Sequence, residues 1–245
     1  MAYSLQWLRS LVFNAQMYLA MPLLGIFFVP FAMVSRKWAF LAVHSYCRYV
    51  RWSAAWMIGL ESEVRGTVPD QEVLIAAKHQ SFFDIIMLVS VLPRPKFIMK
   101  KELKWAPVLG WFALRIGCIP VDRGKRGAAI TKMLADAAKG RSHPGQLIIY
   151  PQGTRMAPGV KAAYKVGTAA LYDQLKQDCV PVACNVGVFW PRHGIYRKPG
   201  LAVIEFLPTL AAGGHKDAFL TDLETMVETA SDRLMAEAGF KGATL

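Results

Sequence analysis

Residues 73–89 of the chain, VLIAAKHQSFFDIIMLV, place a histidine and a carboxylate at the junction between two apolar runs. The first run predicts a buried strand, and the residues after Asp84 predict a buried helix. On one continuous helix His79 and Asp84 would lie about 140° apart, since each residue turns the helix by roughly 100°. The two side chains can therefore meet only if His79 lies in the turn that precedes the helix.

The same stretch also has a purely structural interpretation. Ser81 is a good N-cap residue, and Ser81-x-x-Asp84 has the spacing of a capping box. In that interpretation Asp84 only accepts hydrogen bonds from backbone N–H groups in the first turn, and His79 is a hydrogen-bonded turn residue. Both interpretations stay open on this stretch alone, and the motifs further along the chain favour the catalytic one.

The first 60 residues predict helices that associate with a membrane. Residues 10–35 carry no charged side chain. As a helix this run would be about 39 Å long, against about 30 Å for the hydrocarbon core of a bilayer. Pro22 and Pro30 would kink or end such a helix, and residues 38–60 predict a second, amphipathic one. We therefore predict a two-helix membrane anchor, with a helix pair packed on a soluble domain as the alternative.

Positive charge is concentrated in two segments. The net charge is +12 at pH 7, residues 1–60 contain five basic and no acidic residues, and residues 94–126 contain nine basic and two acidic residues. These two segments account for the whole excess, which indicates an anionic surface or an acidic partner. A nucleic-acid binder would suit the charge, but not an excess that is partly attached to an apolar anchor.

From residue 61 onward, strand-like and helix-like segments alternate. Strands are predicted at 72–77, 96–99, 117–121, 146–150, 180–187 and 201–207. Helices are predicted at 82–91, 103–115, 127–139, 162–176 and 216–238. This alternation predicts an α/β domain over 61–245, with a mixed, mainly parallel sheet flanked by helices.

Two further motifs follow predicted strands. Residues 117–123, GCIPVDR, end in a turn that presents a carboxylate beside a guanidinium, the group best suited to bidentate phosphate binding. In residues 147–155, LIIYPQGTR, the strand ends at a proline and a Gly-Thr turn exposes backbone N–H groups beside Arg155. Such concave N–H arrangements bind anions. A turn-capping Asp-Arg pair and an ordinary β-turn are the structural alternatives.

In this order and spacing, the motifs resemble those of the 1-acyl-sn-glycerol-3-phosphate acyltransferase (PlsC-like lysophosphatidic acid acyltransferase) family over residues 61–210. The family's H-x-x-x-x-D pattern is matched by His79 and Asp84, and its G-x-x-x-x-D-R pattern by Gly117, Asp122 and Arg123. Gly153, Thr154 and Arg155 match the last three residues of its E-G-T-R pattern, and Val180 to Val182 match its proline-containing strand. The chain departs from the family at Gln152, where glutamate is usual. An amide keeps the hydrogen-bonding reach but loses the charge, which leaves the preferred acceptor headgroup open.

The resemblance implies a glycerophosphate acyltransferase-like α/β fold and acyl transfer from a thioester to the free hydroxyl of a lysophospholipid. The most direct acceptor is 1-acylglycerol 3-phosphate, which would give phosphatidic acid. His79 would act as general base and Asp84 would orient it. An activated thioester needs no enzyme nucleophile, so Ser81 is assigned to capping. The implied substrate-binding residues are Asp122, Arg123, Gln152, Gly153, Thr154 and Arg155.

No metal and no cofactor is implied beyond the co-substrate, acyl-CoA or acyl-carrier protein. The expected partners are the lipid acceptor, an anionic membrane surface and, as one option, an acyl carrier protein, at the cytoplasmic face of a bacterial inner membrane. Three alternatives stay open: another acceptor such as lyso-ornithine lipid or glycerol 3-phosphate, a hydrolase with the same dyad, and a non-catalytic lipid-binding membrane protein. Four cysteines without zinc-site spacing, Cys47, Cys118, Cys179 and Cys184, are predicted to be reduced thiols.

Overall fold

The computed structural model describes residues 3–122, 126–140 and 143–242, and its centre is one seven-stranded sheet in the order β1-β7-β6-β2-β5-β3-β4. Strands β6 and β7 pair antiparallel, and the other five neighbouring pairs are parallel. The mixed, mainly parallel sheet predicted from the sequence is therefore confirmed. The strands are β1 Leu60–Arg65, β2 Leu74–Ala77, β3 Pro95–Lys100, β4 Ile119–Val121, β5 Gln146–Ile149, β6 Cys179–Cys184 and β7 Gly200–Phe206.

Helices cover both faces of this sheet. They are α1 Tyr3–Val34, α2 Arg36–Ile58, α3 Phe83–Val91, α4 Leu109–Ile116, α5 Arg126–Lys139, α6 Val166–Leu175 and α7 Lys216–Glu237, with short 3-10 helices at Lys101–Trp105 and Val186–Val188. The single helix predicted over 103–115 is wrong, because a 3-10 turn and α4 replace it. Val108 separates the two with φ 61° and ψ −63°, a conformation that a β-branched residue rarely adopts.

Side-chain alternation along β2 assigns the two faces of the sheet. Ile75 and Ala77 belong to the core cluster formed with α1, α2, α3 and α4. Leu74 and Ala76 belong to the cluster formed with α5, α6 and α7. Successive residues of a strand point to opposite faces, so consecutive residues directly after β2 face different helical layers.

The two N-terminal helices differ in character. Among the described helices, α1 alone is long and apolar enough to cross a membrane by length and composition, and it continues through Pro22 and Pro30 without a break. Helix α2 buries Ala39, Val50 and Ala54 in the same core cluster as the sheet. The predicted anchor of two helices is therefore corrected to one apolar helix, with α2 forming part of the layer that covers the sheet. The domain boundary at residue 60 stays a prediction.

Helix α1 is fixed to the domain near its C-terminal end. The Arg115 guanidinium donates to the carbonyl oxygens of Ala32 at 2.9 Å and Met33 at 3.1 Å, two of the acceptors that a helix end leaves unpaired. Further back, a Cβ on Gly25 would lie 2.1 Å from Val108 Cγ1, so the close approach at this position requires glycine. Arg115 is one of the basic residues of segment 94–126, and its guanidinium therefore stabilises the contact between α1 and α4.

Candidate active site

The site is built where the chain leaves β2. Lys78 continues the side of the strand that faces α7, and His79 continues the side that faces α3. His79 precedes α3, which begins at Phe83, so the histidine lies in the turn before the helix. This placement satisfies the geometric condition that the sequence imposed for a contact with Asp84.

His79 and Asp84 form a hydrogen-bonded pair. The distance from His79 Nδ1 to Asp84 Oδ1 is 2.9 Å, with side-chain exposures of 11% and 1%. Asp84 lies in the first turn of α3, where the partial positive charge of the helix N-terminus stabilises a carboxylate. The pair is thus a buried acid holding an imidazole that still reaches the surface.

The second carboxylate oxygen of Asp84 organises the turn itself. Oδ2 accepts from the backbone N–H groups of Gln80 at 2.8 Å and Ser81 at 2.7 Å. Ser81 Oγ accepts from the N–H of Phe83 at 3.2 Å and not from that of Asp84, so one of the two bonds of a capping box forms. Asp84 therefore performs both functions that the sequence left as alternatives: it closes the turn and it holds His79.

The donors around Asp84 determine the tautomer of His79. An ionised carboxylate can only accept hydrogen bonds, so the proton lies on Nδ1, and Nε2 keeps its lone pair. Nε2 has no hydrogen-bond partner among residues 3–122, 126–140 and 143–242. Tyr150 stacks on the imidazole with ring centroids 3.9 Å apart. Burial, with the charge of Asp84 second, raises the pKa of Tyr150 well above its usual value, so its hydroxyl stays protonated and donates to Asp84 Oδ1 at 3.4 Å.

The turn after β5 lies against the histidine. The N–H of Met156 donates to the carbonyl oxygen of His79 at 2.8 Å, which places residues 153–155 beside the dyad. Gly153 has φ 72°, so the backbone conformation favours glycine at this position. Three of the residues assigned to substrate binding, Gly153, Thr154 and Arg155, therefore border the same site as His79.

A second arginine accompanies Arg155. Arg155 Nη1 donates to the carbonyl oxygen of Arg192, and Arg192 Nη1 donates to that of Arg155, each at 3.4 Å. Neither guanidinium has a carboxylate within salt-bridge distance in the part of the chain that the structure describes. Sequence analysis missed Arg192, because it lies in a loop 37 residues away that carries no recognised motif.

The remaining predicted substrate-binding residues lie elsewhere. The Gln152 amide points inward and donates to Glu228 Oε1 and to the Ala162 carbonyl oxygen, each at 3.4 Å. Asp122 accepts from Lys101 at 2.6 Å at the end of β4, three strand positions from β2 and thus about 14 Å away across the sheet. Arg123 lies outside the described residues. A contact between substrate and any of the three stays a prediction.

Metal-ligating residue types do not cluster in the described part of the chain, where no group of three or more His, Cys, Asp or Glu side chains could hold an ion. The four cysteines are free and buried, as the sequence predicted. Burial raises the pKa of Cys118 to about 12, so this thiol stays protonated and is a poor nucleophile.

Comparison with known proteins gives consistent results. The sequence model of the acyltransferase family matches residues 61–185. The 1-acyl-sn-glycerol-3-phosphate acyltransferase of Pseudomonas aeruginosa is 26% identical over 216 residues, covering 87% of this chain and 84% of that protein. The human 1-acyl-sn-glycerol-3-phosphate acyltransferase alpha is 32% identical over 134 residues, which cover 53% of this chain and 47% of the human protein. The chain thus spans most of the bacterial relative and about half of the human one.

A solved structure has the same fold. The crystal structure of the 1-acyl-sn-glycerophosphate (LPA) acyltransferase PlsC from Thermotoga maritima superposes with a TM-score of 0.81, covering 96% of this chain and all of the other. The sequences are 17% identical, so the likeness is one of architecture. It extends to the N-terminal helices, since nearly the whole chain is matched.

Proposed function

The chain belongs to the acyltransferase family, and from that premise we propose that it acylates the free hydroxyl of 1-acylglycerol 3-phosphate to form phosphatidic acid. Two relatives bear the name of this activity. The observation that carries the proposal is the His79–Asp84 pair, in which Nε2 of the imidazole has no partner among the described residues and lies beside a turn that holds Arg155.

The proposed reaction needs one proton to move twice. His79 Nε2 takes the proton of the acceptor hydroxyl as its oxygen attacks the thioester carbonyl carbon. The carbon–sulfur bond then breaks, and the departing thiolate takes the proton from the imidazolium. Asp84 keeps Nδ1 protonated and stabilises the imidazolium, and general base catalysis of this kind contributes about 10²–10⁴-fold.

The acceptor phosphate is assigned to the two arginines beside the histidine. Two guanidinium groups that lie together without a described carboxylate partner attract an anion, and arginine binds phosphate oxygens in a bidentate way. The backbone N–H of Thr154 would add a donor from the turn, whereas that of Gly153 donates to the carbonyl oxygen of Tyr150 at 2.8 Å and shapes the turn. Arg123 is retained from its motif alone, as a further residue in this role.

Membrane association is proposed from the outer surface of α1. Leu19, Leu23, Ile26 and Phe27 on this helix are each at least 60% exposed, a contiguous apolar surface that suits lipid. Near the start of α4, Trp105 is 77% exposed and Lys104 Nζ lies 4.6 Å from its ring, a pairing typical of a headgroup boundary.

The basic segment contributes to this surface only in part. Lys96 is buried, and its Nζ donates to the carbonyl oxygen of His143 at 2.6 Å, so this lysine cannot face anionic lipid. Lys100, Lys101 and Lys104 are exposed. Lys100 and Lys101 pair with Glu102 and Asp122, so Lys104 is the lysine of this group that we assign to the lipid surface. We propose the cytoplasmic face of a bacterial inner membrane as the location, because Arg36 and Lys37 directly follow the apolar helix α1, and basic residues beside a membrane helix favour the cytosolic side.

The test is acyl transfer by the detergent-solubilised full chain. A labelled acyl thioester, offered as acyl-CoA and separately as acyl-acyl carrier protein, is incubated with 1-acylglycerol 3-phosphate, lyso-ornithine lipid, monoacylglycerol or no acceptor. We expect labelled phosphatidic acid from the wild type and at least about 100-fold less from His79→Ala. Acylation of lyso-ornithine lipid alone would replace the proposed acceptor, free fatty acid without any acceptor would indicate a hydrolase, and no turnover at all would indicate a lipid-binding protein.

A further inference from the structure

A second acid–base cluster lies directly behind the proposed catalytic pair. Lys78 Nζ contacts the two carboxylate oxygens of Glu228 at 2.7 and 2.6 Å, with side-chain exposures of 2% and 12%. Glu228 belongs to α7, outside the residues that the family model matches. The proposed mechanism uses neither Lys78 nor Glu228. Burying two charged groups costs desolvation free energy, so the pair is expected to have a role of its own.

Two more side chains converge on the same carboxylate. The Tyr164 hydroxyl donates to Glu228 Oε1 at 2.9 Å, and Gln152 Nε2 lies 3.4 Å from the same oxygen. Burial, with the charge of Glu228 second, raises the pKa of Tyr164 far above its usual value, so the phenol is neutral. The cluster therefore contains one ammonium, one carboxylate and two neutral donors, and its charges balance.

The cluster joins the two turns of the proposed site. Lys78 immediately precedes His79, and Gln152 immediately precedes Gly153. Glu228 is thus the common partner of the residue before the general base and the residue before the anion-binding turn. Because Gln152 is only 4% exposed and its amide nitrogen points to Glu228, its direct influence on an acceptor headgroup is sterically restricted.

We propose that Glu228 is a positioning residue for acyl transfer, which holds the His79 turn and the Gly153 turn in register through Lys78 and Gln152. The amide at position 152 follows from this arrangement. A glutamate there would place a second carboxylate against Glu228 with a single lysine to balance both. The departure from the family's E-G-T-R pattern is then compensated by an acid on α7, and it does not mark a different headgroup.

The test moves the carboxylate from one side of the cluster to the other. Gln152→Glu adds a second acid, Glu228→Gln removes the acid that pairs with Lys78, and the double variant restores one acid opposite this lysine. We expect each single variant to lower kcat at least about tenfold, with the KM for 1-acylglycerol 3-phosphate changed less than about threefold. The double variant should recover to within about threefold of wild type, because coupled residues give non-additive effects. Asp222→Asn, which removes an exposed acid from the same helix, serves as the matched control.

The inference rests on the proposed function, and a second measurement separates their failures. Thermal unfolding midpoints of the same variants require no substrate, and we expect each single variant to lower the midpoint by about 5 °C or more and the double variant to restore it. Wild-type activity in Gln152→Glu, or a double variant no better than the worse single one, would overturn the inference. A raised acceptor KM with unchanged kcat in Gln152→Glu would instead place residue 152 on the substrate.

Discussion

Lys78 and His79 are consecutive, each is held by a carboxylate, and yet the two pairs are opposite in character. Asp84 holds an imidazole whose other nitrogen has no partner in the part of the chain that the structure describes, and 11% of the His79 side chain is exposed. Glu228 holds an ammonium that is 2% exposed, and its carboxylate also receives Tyr164. Because side chains alternate along β2 and the residues after it, the first pair lies on the α3 side of the sheet and the second on the α7 side.

The difference shows that the His79–Asp84 pair is arranged for proton transfer and the Lys78–Glu228 pair for stability. A base can accept a proton from a substrate only if one lone pair is left without a partner inside the protein, and His79 Nε2 meets that condition as far as the described residues extend. A buried ion pair stabilises a fold only if its polar atoms are satisfied, and Lys78 with Glu228 meets that one. We therefore expect changes in the first pair to alter the rate of acyl transfer and changes in the second to alter stability as well.

The largest expected effect is the loss of transfer in His79→Ala. We expect kcat to fall by about 10²–10⁴-fold, the contribution of general base catalysis. The unfolding midpoint should stay close to that of wild type, since Asp84 keeps the N–H groups of Gln80 and Ser81 as donors. The measurement pairs steady-state kinetics with thermal unfolding. Activity within tenfold of wild type would contradict the role of the imidazole.

Next in size is the loss of stability in Lys78→Met, which leaves Glu228 buried without its counter-ion. Breaking a buried pair in this way costs about 3–5 kcal/mol in the free energy of unfolding, to be measured by denaturant titration. Lys176→Met is the control, because its pair with Asp173 is largely exposed and such pairs contribute about 0–1 kcal/mol. Equal losses in the two variants would remove the distinction between the pairs.

A smaller effect is expected at Arg192, on the reactive side of the comparison. Arg192→Gln should raise the KM for 1-acylglycerol 3-phosphate about 10- to 150-fold, since a hydrogen bond to a charged group contributes about 1.5–3 kcal/mol. The KM for monoacylglycerol, if it is turned over, should not change. Lys198→Gln removes the same charge from the same exposed loop and serves as the control. An equal rise in its KM for 1-acylglycerol 3-phosphate would show that the effect comes from general surface charge and not from Arg192 itself.

The smallest effect is expected for Ser81→Ala, at the turn between the two pairs. Its hydroxyl accepts one bond from the N–H of Phe83 at 3.2 Å, and losing such a bond costs about 0.5–2 kcal/mol of stability. Activity should stay within a few-fold of wild type. An inactive but folded variant would point to a covalent acyl-enzyme and away from direct attack by the acceptor.

Most of the regular structure was predictable because it depends on local patterns. Six of the seven strands were predicted from apolar runs, whereas β1 was missed because its sequence, LESEVR, places polar residues at an edge of the sheet. The helix predicted over 103–115 failed at Val108, where the approach of Gly25 on α1 accompanies a backbone conformation that no local propensity favours. Pro107 also interrupts a helix at this point, so a local breaker and a long-range contact coincide there.

The sequence by itself determined the class of fold, the family, and the condition that His79 must precede the helix to reach Asp84. Those conclusions need only residue spacing, periodicity and motifs that are short in sequence. Tertiary structure alone decided that Arg192 joins Arg155, and that Gln152 and Lys78 share Glu228, 150 residues beyond that lysine. The physical reason is that such pairings depend on how α7 and the last loops pack across the sheet, and the free energy of that packing is distributed over the whole core.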